Sequence, residues 1–187
     1  MSLILASASP RRKELMGLYH IPFQIRAADI DETMAPDAAP AHEVGRVSRL
    51  KAQATPRSAG DVVVAADTIV VCDGKVLGKP HSEAEAVEML TLLSGRDHQV
   101  MTGVTVLRDE TAETFTEITD IHFRPLSEKE IRAYVATGEP MDKAGSYGVQ
   151  GKGSLLVEKL NGDFFNVMGL PVLRLSRMLT QFGVHLL

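Results

Sequence analysis

The chain has 187 residues, 44% of them hydrophobic and 24% charged, with a net charge of −4. That length suits one domain or two small lobes around a sizeable core, and the charge balance excludes the strongly basic footprint of a duplex nucleic-acid binder. The single cysteine, Cys72, excludes a disulfide framework and a cysteine-built zinc site, and beside a Val-rich run it reads as core packing.

The first stretch, Leu3-Ile4-Leu5-Ala6-Ser7-Ala8-Ser9-Pro10-Arg11-Arg12, reads as a buried strand turning into a helix start. Its apolar run is too short for a signal peptide and enters the two arginines at once. No segment holds the roughly 20 apolar residues of a membrane span, so a cytoplasmic location is expected. Ser9 suits an N-cap and Pro10 the first helical position, with the helix running to about Tyr19. Helix N-termini attract anions, and the forked donors of Arg11 and Arg12 match phosphate oxygens. The same four residues also make an ordinary solvated helix start.

Ile21 to Arg26 alternates like a second strand, followed by the acidic loop Ala28-Asp29-Ile30-Asp31-Glu32-Thr33 and the prolines Pro36 and Pro40. Ala41 to about Thr55 has helical spacing, with Val44, Val47, Leu50 and Ala54 on one face, and Pro56 stops it. Asp61 to Val71 is the most apolar run, β-branched and without alternation, as in a strand buried on both faces. Asp73-Gly74 predicts a hairpin turn returning through Lys75-Val76-Leu77. Ser82 caps a helix from about Glu83 to Leu93, with Glu85 at the capping-box position. His98 to Arg108 and Glu113 to Arg124 form a second hairpin around Asp109-Glu110. Ser127 with Glu130 opens another capped helix, to about Thr137. Asp142 to Gly153 reads as a Gly-rich loop with one helical turn at its start, Ser154 to Lys159 as a strand, Asn161-Gly162 as a turn and Pro171 to Phe182 as a closing helix. Hairpins mixed with helices imply an α/β sheet that is not purely parallel. No linker, repeat or low-complexity tract interrupts the chain, so residues 1–187 read as a single domain.

The most conspicuous chemical residue is Asp67, an acid inside the apolar run, where burial is costly unless the group is paired or used. It suits a metal ligand or a proton acceptor, or else an Asp hydrogen-bonded at a frayed strand end. With Asp29, Asp31 and Glu32 of the acidic loop it suits Mg²⁺, which takes a few carboxylates together with phosphate oxygens and water. Otherwise the loop is simply solvated, the reading favoured for Asp29 and Asp31. Lys51 and Lys79, the latter in Gly78-Lys79-Pro80, are candidate phosphate partners or plain solvated lysines. Gln150, within the Gly-rich loop, offers an amide able to pair with a base edge. His42, His81, His98 and His122 lack metal-ligand spacing and are assigned to caps, strand faces or surface. Zinc-hydrolase, P-loop and serine-hydrolase motifs are absent from the sequence.

Taken together, Ser7-Ala8-Ser9-Pro10-Arg11-Arg12, Ala66-Asp67-Thr68, Gly78-Lys79-Pro80, Asp142 to Gly151 and Gly162 to Pro171 resemble the Maf proteins, in order and spacing, from near the first residue to about Leu175. The resemblance implies an elongated, partly antiparallel mixed sheet flanked by helices, in two lobes around a nucleotide cleft, similar to inosine triphosphatases. It implies a house-cleaning nucleoside triphosphate pyrophosphatase that cuts the α–β phosphoanhydride. The Lys143 to Gln150 loop resembles the branch acting on dTTP and UTP, and departs from the branch acting on 7-methyl-GTP. Carried over by position, Asp67 becomes the proton acceptor. Arg12, Thr68 and Gln150 become specificity determinants. Ser9, Arg11, Lys51 and Lys79 become phosphate neighbours, and Glu32 joins Asp67 at Mg²⁺ or Mn²⁺. The resemblance also implies a homodimer and a link to cell-division arrest. A non-catalytic nucleotide-binding regulator of septum formation is the alternative it leaves open.

Overall fold

The computed structural model describes residues 1–35 and 37–187; Pro36, expected in a Pro-rich connection, lies outside the described residues. Among these residues seven strands pair, in the order β2 (Phe23–Ile25), β1 (Leu3–Ala6), β3 (Val62–Cys72), β5 (Asp97–Arg108), β6 (Thr111–Phe123) and β7 (Val157–Asn161), with β4 (Lys75–Leu77) also on β3. Strand β1 runs parallel to β2 and to β3. Strand β4 is antiparallel to β3, and β7 is antiparallel to β6. With β5 this is a mixed sheet, as expected. The chain divides into two compact units, one of residues 1–67, 102–117 and 169–187, the other of residues 68–101 and 118–168.

The first unit holds helices α1 (Pro10–Gly17), α2 (Pro40–Ala54) and α6 (Val172–Gln181). Its apolar packing joins Ile4 and Ala6 of β1 to Val63 and Ala65 of β3, Ala52 of α2 and Leu107 of β5. The apolar stripe of α2 is rotated from the predicted one. Val44, Val47, Ser48 and Ala52 are buried, whereas Leu50 and Ala54 are exposed. The cause is polar: Ser48 Oγ meets Thr105 Oγ1 at 2.8 Å and donates to Gly45 O, so a hydroxyl takes an inward position that hydropathy alone leaves outside. Helix α1 ends two residues early at Gly17, and β2 spans only three residues of the expected six.

The second unit packs α3 (Glu83–Leu93) and α4 (Glu128–Val135) around Phe123, with Leu90, Leu93, Ile131 and Tyr147 in the same core. Each such fully buried side chain contributes about 2 kcal/mol before entropy is counted. Both predicted caps form. Ser127 and Glu130 close a reciprocal capping box. Ser82 accepts from Glu85 N–H, but the Glu85 carboxylate reaches the N–H of His81 at 2.7 Å, one residue before the cap. The Asp73-Gly74 turn has positive φ at both residues, +49° and +77°, as a two-residue hairpin demands. Strand β7 starts at Val157, because residues 151–155 are wound into a 3-10 turn. The preceding segment carries two more such turns, Glu139–Asp142 and Ala144–Ser146, where one was expected. A short helix, α5 (Phe164–Val167), follows β7, capped by Asp163.

Candidate active site

In the first unit, β1 delivers the chain into the Ser-Pro-Arg-Arg turn. Ser9 stands at the N-cap with extended backbone, but its side chain makes no cap hydrogen bond. The organising hydroxyl is Ser7, which is buried and accepts from Ser9 N–H at 3.2 Å and from Arg12 Nη1 at 3.1 Å. A serine two residues ahead of a cap was the available signal. Arg12 Nε also donates to Gly169 O at 2.8 Å, which anchors one edge of its guanidinium to the fold. Burial pulls the Arg12 pKa below its ordinary value, while Asp67 and Glu32 oppose that shift and Arg11 adds to it. Arg11 is half-buried beside it.

Asp67 lies mid-strand in β3, 8% exposed, so it is not the frayed strand end that was the alternative. Lys51, on the last turns of α2, answers its burial. Lys51 Nζ is 2.8 Å from Asp67 Oδ1 and 3.0 Å from Glu32 Oε1. Two carboxylates separated by 35 positions therefore converge on one ammonium.

The loop bearing Glu32 is held by residues that sequence reasoning passed over. Glu43, buried at the start of α2, accepts Ala35 N–H at 2.9 Å and the Arg46 guanidinium at 2.8–3.1 Å. Arg46 Nη2 donates onward to Thr33 O at 2.8 Å, and Asp31 accepts Thr33 N–H at 2.9 Å. Arg46, then Ala35 N–H, hold the Glu43 carboxyl at about 2 against the opposing effect of burial. The i, i+3 spacing of Glu43 and Arg46 was the visible clue. Asp29 is exposed and stays a loop residue.

These residues suit a divalent cation of limited protein coordination. Asp67 and Glu32 are hard oxygen donors already gathered at a cationic position, while no group of three His, Cys, Asp or Glu suited to a metal occurs among the described residues. Such a donor set fits an ion completed by phosphate oxygens and water, not one enclosed by protein.

In the second unit, Thr68 follows Asp67 on β3 and is half-buried, with alternation sending it to the other face. Gly78 O accepts Gly145 N–H at 3.0 Å, which ties the Gly78-Lys79-Pro80 turn to the Gly-rich segment. Lys79 is exposed at that turn and Gln150 is exposed within the segment. The interleaved Lys143 and Tyr147 serve the fold instead. Lys143 Nζ donates to Glu139 O and Asp142 Oδ1, at 2.6 and 2.7 Å. Tyr147 is buried in T-shaped contact with His98 and Phe123, its hydroxyl 2.8 Å from His98 Nε2, and burial raises its pKa. His98 is thereby a core residue, lowered to about 4 chiefly by burial. His122 lies on β6 with Nδ1 2.7 Å from Asp97.

The fold and these groups define a mixed α/β protein with an anion-suited arginine turn and a carboxylate pair bridged by a lysine. The family model described as Maf-like protein matches residues 2–182, and the chain belongs to the Maf family. A relative from Bacillus mycoides (strain KBAB4), named dTTP/UTP pyrophosphatase, is 50% identical over 181 residues, covering 96% of this chain and 95% of its own. Another from Bacillus cereus (strain AH820), with the same name, is 49% identical over 183 residues, covering 97% and 96%. Among solved structures, a HAM1 protein from Coxiella burnetii superposes with a TM-score of 0.53 at 16% identity, over 97% of this chain and 99% of that one. That likeness concerns the fold alone and agrees with the mixed α/β reading.

Proposed function

We propose that the protein is a nucleoside triphosphate pyrophosphatase that hydrolyses dTTP and UTP to the monophosphate and pyrophosphate, with Mg²⁺ or Mn²⁺ as cofactor. The observation that carries the reading is the convergence of Asp67 and Glu32 on Lys51, in a chain half identical over its length to proteins named for that activity.

Cleaving an α–β phosphoanhydride demands charge compensation at phosphate oxygens and a water aimed in line, so positioning and electrostatics dominate. Asp67 accepts the proton of the attacking water. Lys51, 2.8 Å away, orients that carboxylate and gives its own charge to phosphate. Ser9 and Arg11 lie at the helix start, where the helix N-terminus and guanidinium donors suit phosphate oxygens. Lys79 adds an exposed ammonium in the second unit. Asp67 and Glu32 are the residues that would hold the divalent cation, which neutralises phosphate charge when bound. Gln150 and Thr68 pair with the imide edge of uracil or thymine, and Arg12, fixed by Ser7 and Gly169, sets the specificity of its unit.

The reading extends to a cytoplasmic enzyme that forms a homodimer and binds neither duplex nucleic acid nor membrane. No helix among the described residues is long and apolar enough to cross a membrane. A link to cell-division arrest rests on family resemblance, and filamentation on overproduction of active but not Asp67→Asn protein would support it.

The deciding experiment is pyrophosphate release from dTTP, UTP, CTP, ATP and GTP with Mg²⁺ or Mn²⁺ and an EDTA control. Fast release from dTTP and UTP supports the reading, whereas fast release from a purine instead overturns the base assignment. Binding without release from any nucleotide favours the non-catalytic regulator.

A further inference from the structure

One carboxylate outside the groups described so far gathers an unusual set of donors. Glu139 follows Gly138, whose φ is +73°, and opens the first 3-10 turn, half-buried. Its Oε1 accepts from the Tyr134 hydroxyl at 2.9 Å and from Gly153 N–H at 3.0 Å, and its Oε2 accepts from Lys152 N–H at 3.1 Å. The Tyr134 hydroxyl in turn accepts from Gly148 N–H at 3.2 Å. Both ends of the Gly148–Gly153 span are thus fastened to one carboxylate–hydroxyl pair. Gln150 stands between the fastenings, exposed, with no side-chain cap bond of its own.

Two glycines of the span, Gly151 and Gly153, sit at close approaches that include this pair, whereas Gly148 faces the Lys143 side chain. A Cβ on Gly151 would lie 2.8 Å from Glu139 Oε2, at a φ of +64°. A Cβ on Gly153 would meet Gly148 O and the Tyr134 hydroxyl. The span therefore closes on Glu139 with no room for a side chain at position 151 or 153. Burial works to raise the Glu139 carboxyl, but the two backbone N–H donors, the Tyr134 hydroxyl and Lys143 outweigh it and leave its pKa below the ordinary value. Burial raises the Tyr134 phenol, which stays a neutral donor to the carboxylate.

We infer that Glu139, acting through Tyr134 and the backbone of residues 148–153, is a positioning residue for base recognition, holding Gln150 in one presentation to the substrate's pyrimidine edge. This rests on the proposed reading in which Gln150 contacts the base. A flexible loop would lose discrimination, because ordering it on binding costs conformational entropy and a displaced amide leaves hydrogen bonds unmade.

The test compares UTP with CTP, which have nearly the same shape and differ in the hydrogen-bonding edge. Glu139→Gln keeps size but turns one acceptor oxygen into an NH₂ facing N–H or O–H donors. Tyr134→Phe removes only the bridging hydroxyl. The kcat/KM ratio of UTP over CTP is expected to fall on the order of tenfold in Glu139→Gln, and less but in the same direction in Tyr134→Phe. A merely structural role would lower both substrates together and leave the ratio unmoved. Should Glu139→Gln fail to fold, Tyr134→Phe carries the test alone. An unchanged ratio in these variants, with a collapsed ratio in Gln150→Ala, overturns the inference and spares the base-reading role of Gln150. An unchanged ratio in Gln150→Ala overturns that role and the inference with it.

Discussion

Lys51 Nζ sits 2.8 Å from Asp67 Oδ1, joining the end of helix α2 to the middle of strand β3, with both side chains 11% exposed. Removing Lys51 leaves the Asp67 charge poorly compensated, whereas removing Asp67 leaves Lys51 with Glu32 at 3.0 Å, so the informative substitution is a volume-conserving one at Asp67. Asp67→Asn is expected to lower pyrophosphate release by at least about 10²-fold, the range for losing a general base. Circular dichroism should show it folded, since the amide still accepts from Lys51. Turnover within a few-fold of wild type would remove Asp67 from the reaction.

Chelation addresses the carboxylate pair directly. EDTA is expected to abolish turnover, with recovery on adding Mg²⁺ or Mn²⁺. Glu32→Gln should raise the metal concentration needed for half-maximal turnover more than it lowers the maximum, because Glu32 is the more exposed member of the pair. Full activity in EDTA would show that Lys51 and the arginines suffice.

Protonation of His98 sets an acid limit on stability. Its pKa falls from 6.5 to about 4 in the native state, so the unfolded chain binds that proton more tightly. Stability is complete above pH 6.5 and declines as pH falls toward 4, by about 2–3 kcal/mol at pH 4.5 from this residue. Urea unfolding at pH 7.5 and 4.5 should show a smaller pH difference in His98→Gln than in wild type, even though the variant starts less stable. Equal differences would place the acid sensitivity elsewhere.

Gly103 has no room for a methyl group. A Cβ there would overlap the Val44 carbonyl and Gly45 N, both backbone. Gly103→Ala should cost about 3 kcal/mol or more, because α2 must move off β5 to relieve it. Thermal melting would read this as a lowered midpoint, and an unchanged midpoint would mean that α2 shifts at no cost.

Elements defined by local chemistry were readable from the sequence. Ser127 with Glu130, Asp73-Gly74 and the unbroken Val run of β3 fall where predicted, since each is decided by neighbours in the chain. Hidden positions depended on partners far away. Leu50 faces outward because Ser48 meets Thr105, 57 positions on, and Ser154 is lost from β7 to the turn that Glu139 helps to fasten. Within the site, Asp67 was conspicuous as an acid in an apolar run. Glu43 showed only through its i, i+3 spacing to Arg46, and Glu139 not at all, since it is tied to backbone N–H groups at 152–153, which no residue type announces.

The way the two units are drawn from the chain bears on how the protein is made. The first unit combines residues 1–67 and 102–117 with residues 169–187. Leu175 and Leu179 of α6, both fully buried, belong to that last piece. On the ribosome, the second unit has all its residues once position 168 has been synthesised, whereas the first must wait for the final helix. The strand carrying Asp67 is thus translated early and completed late. A nascent chain stalled before α6 would expose the Val-rich β3 to chaperones and to aggregation, so premature termination there should yield insoluble product, not a partly active fragment.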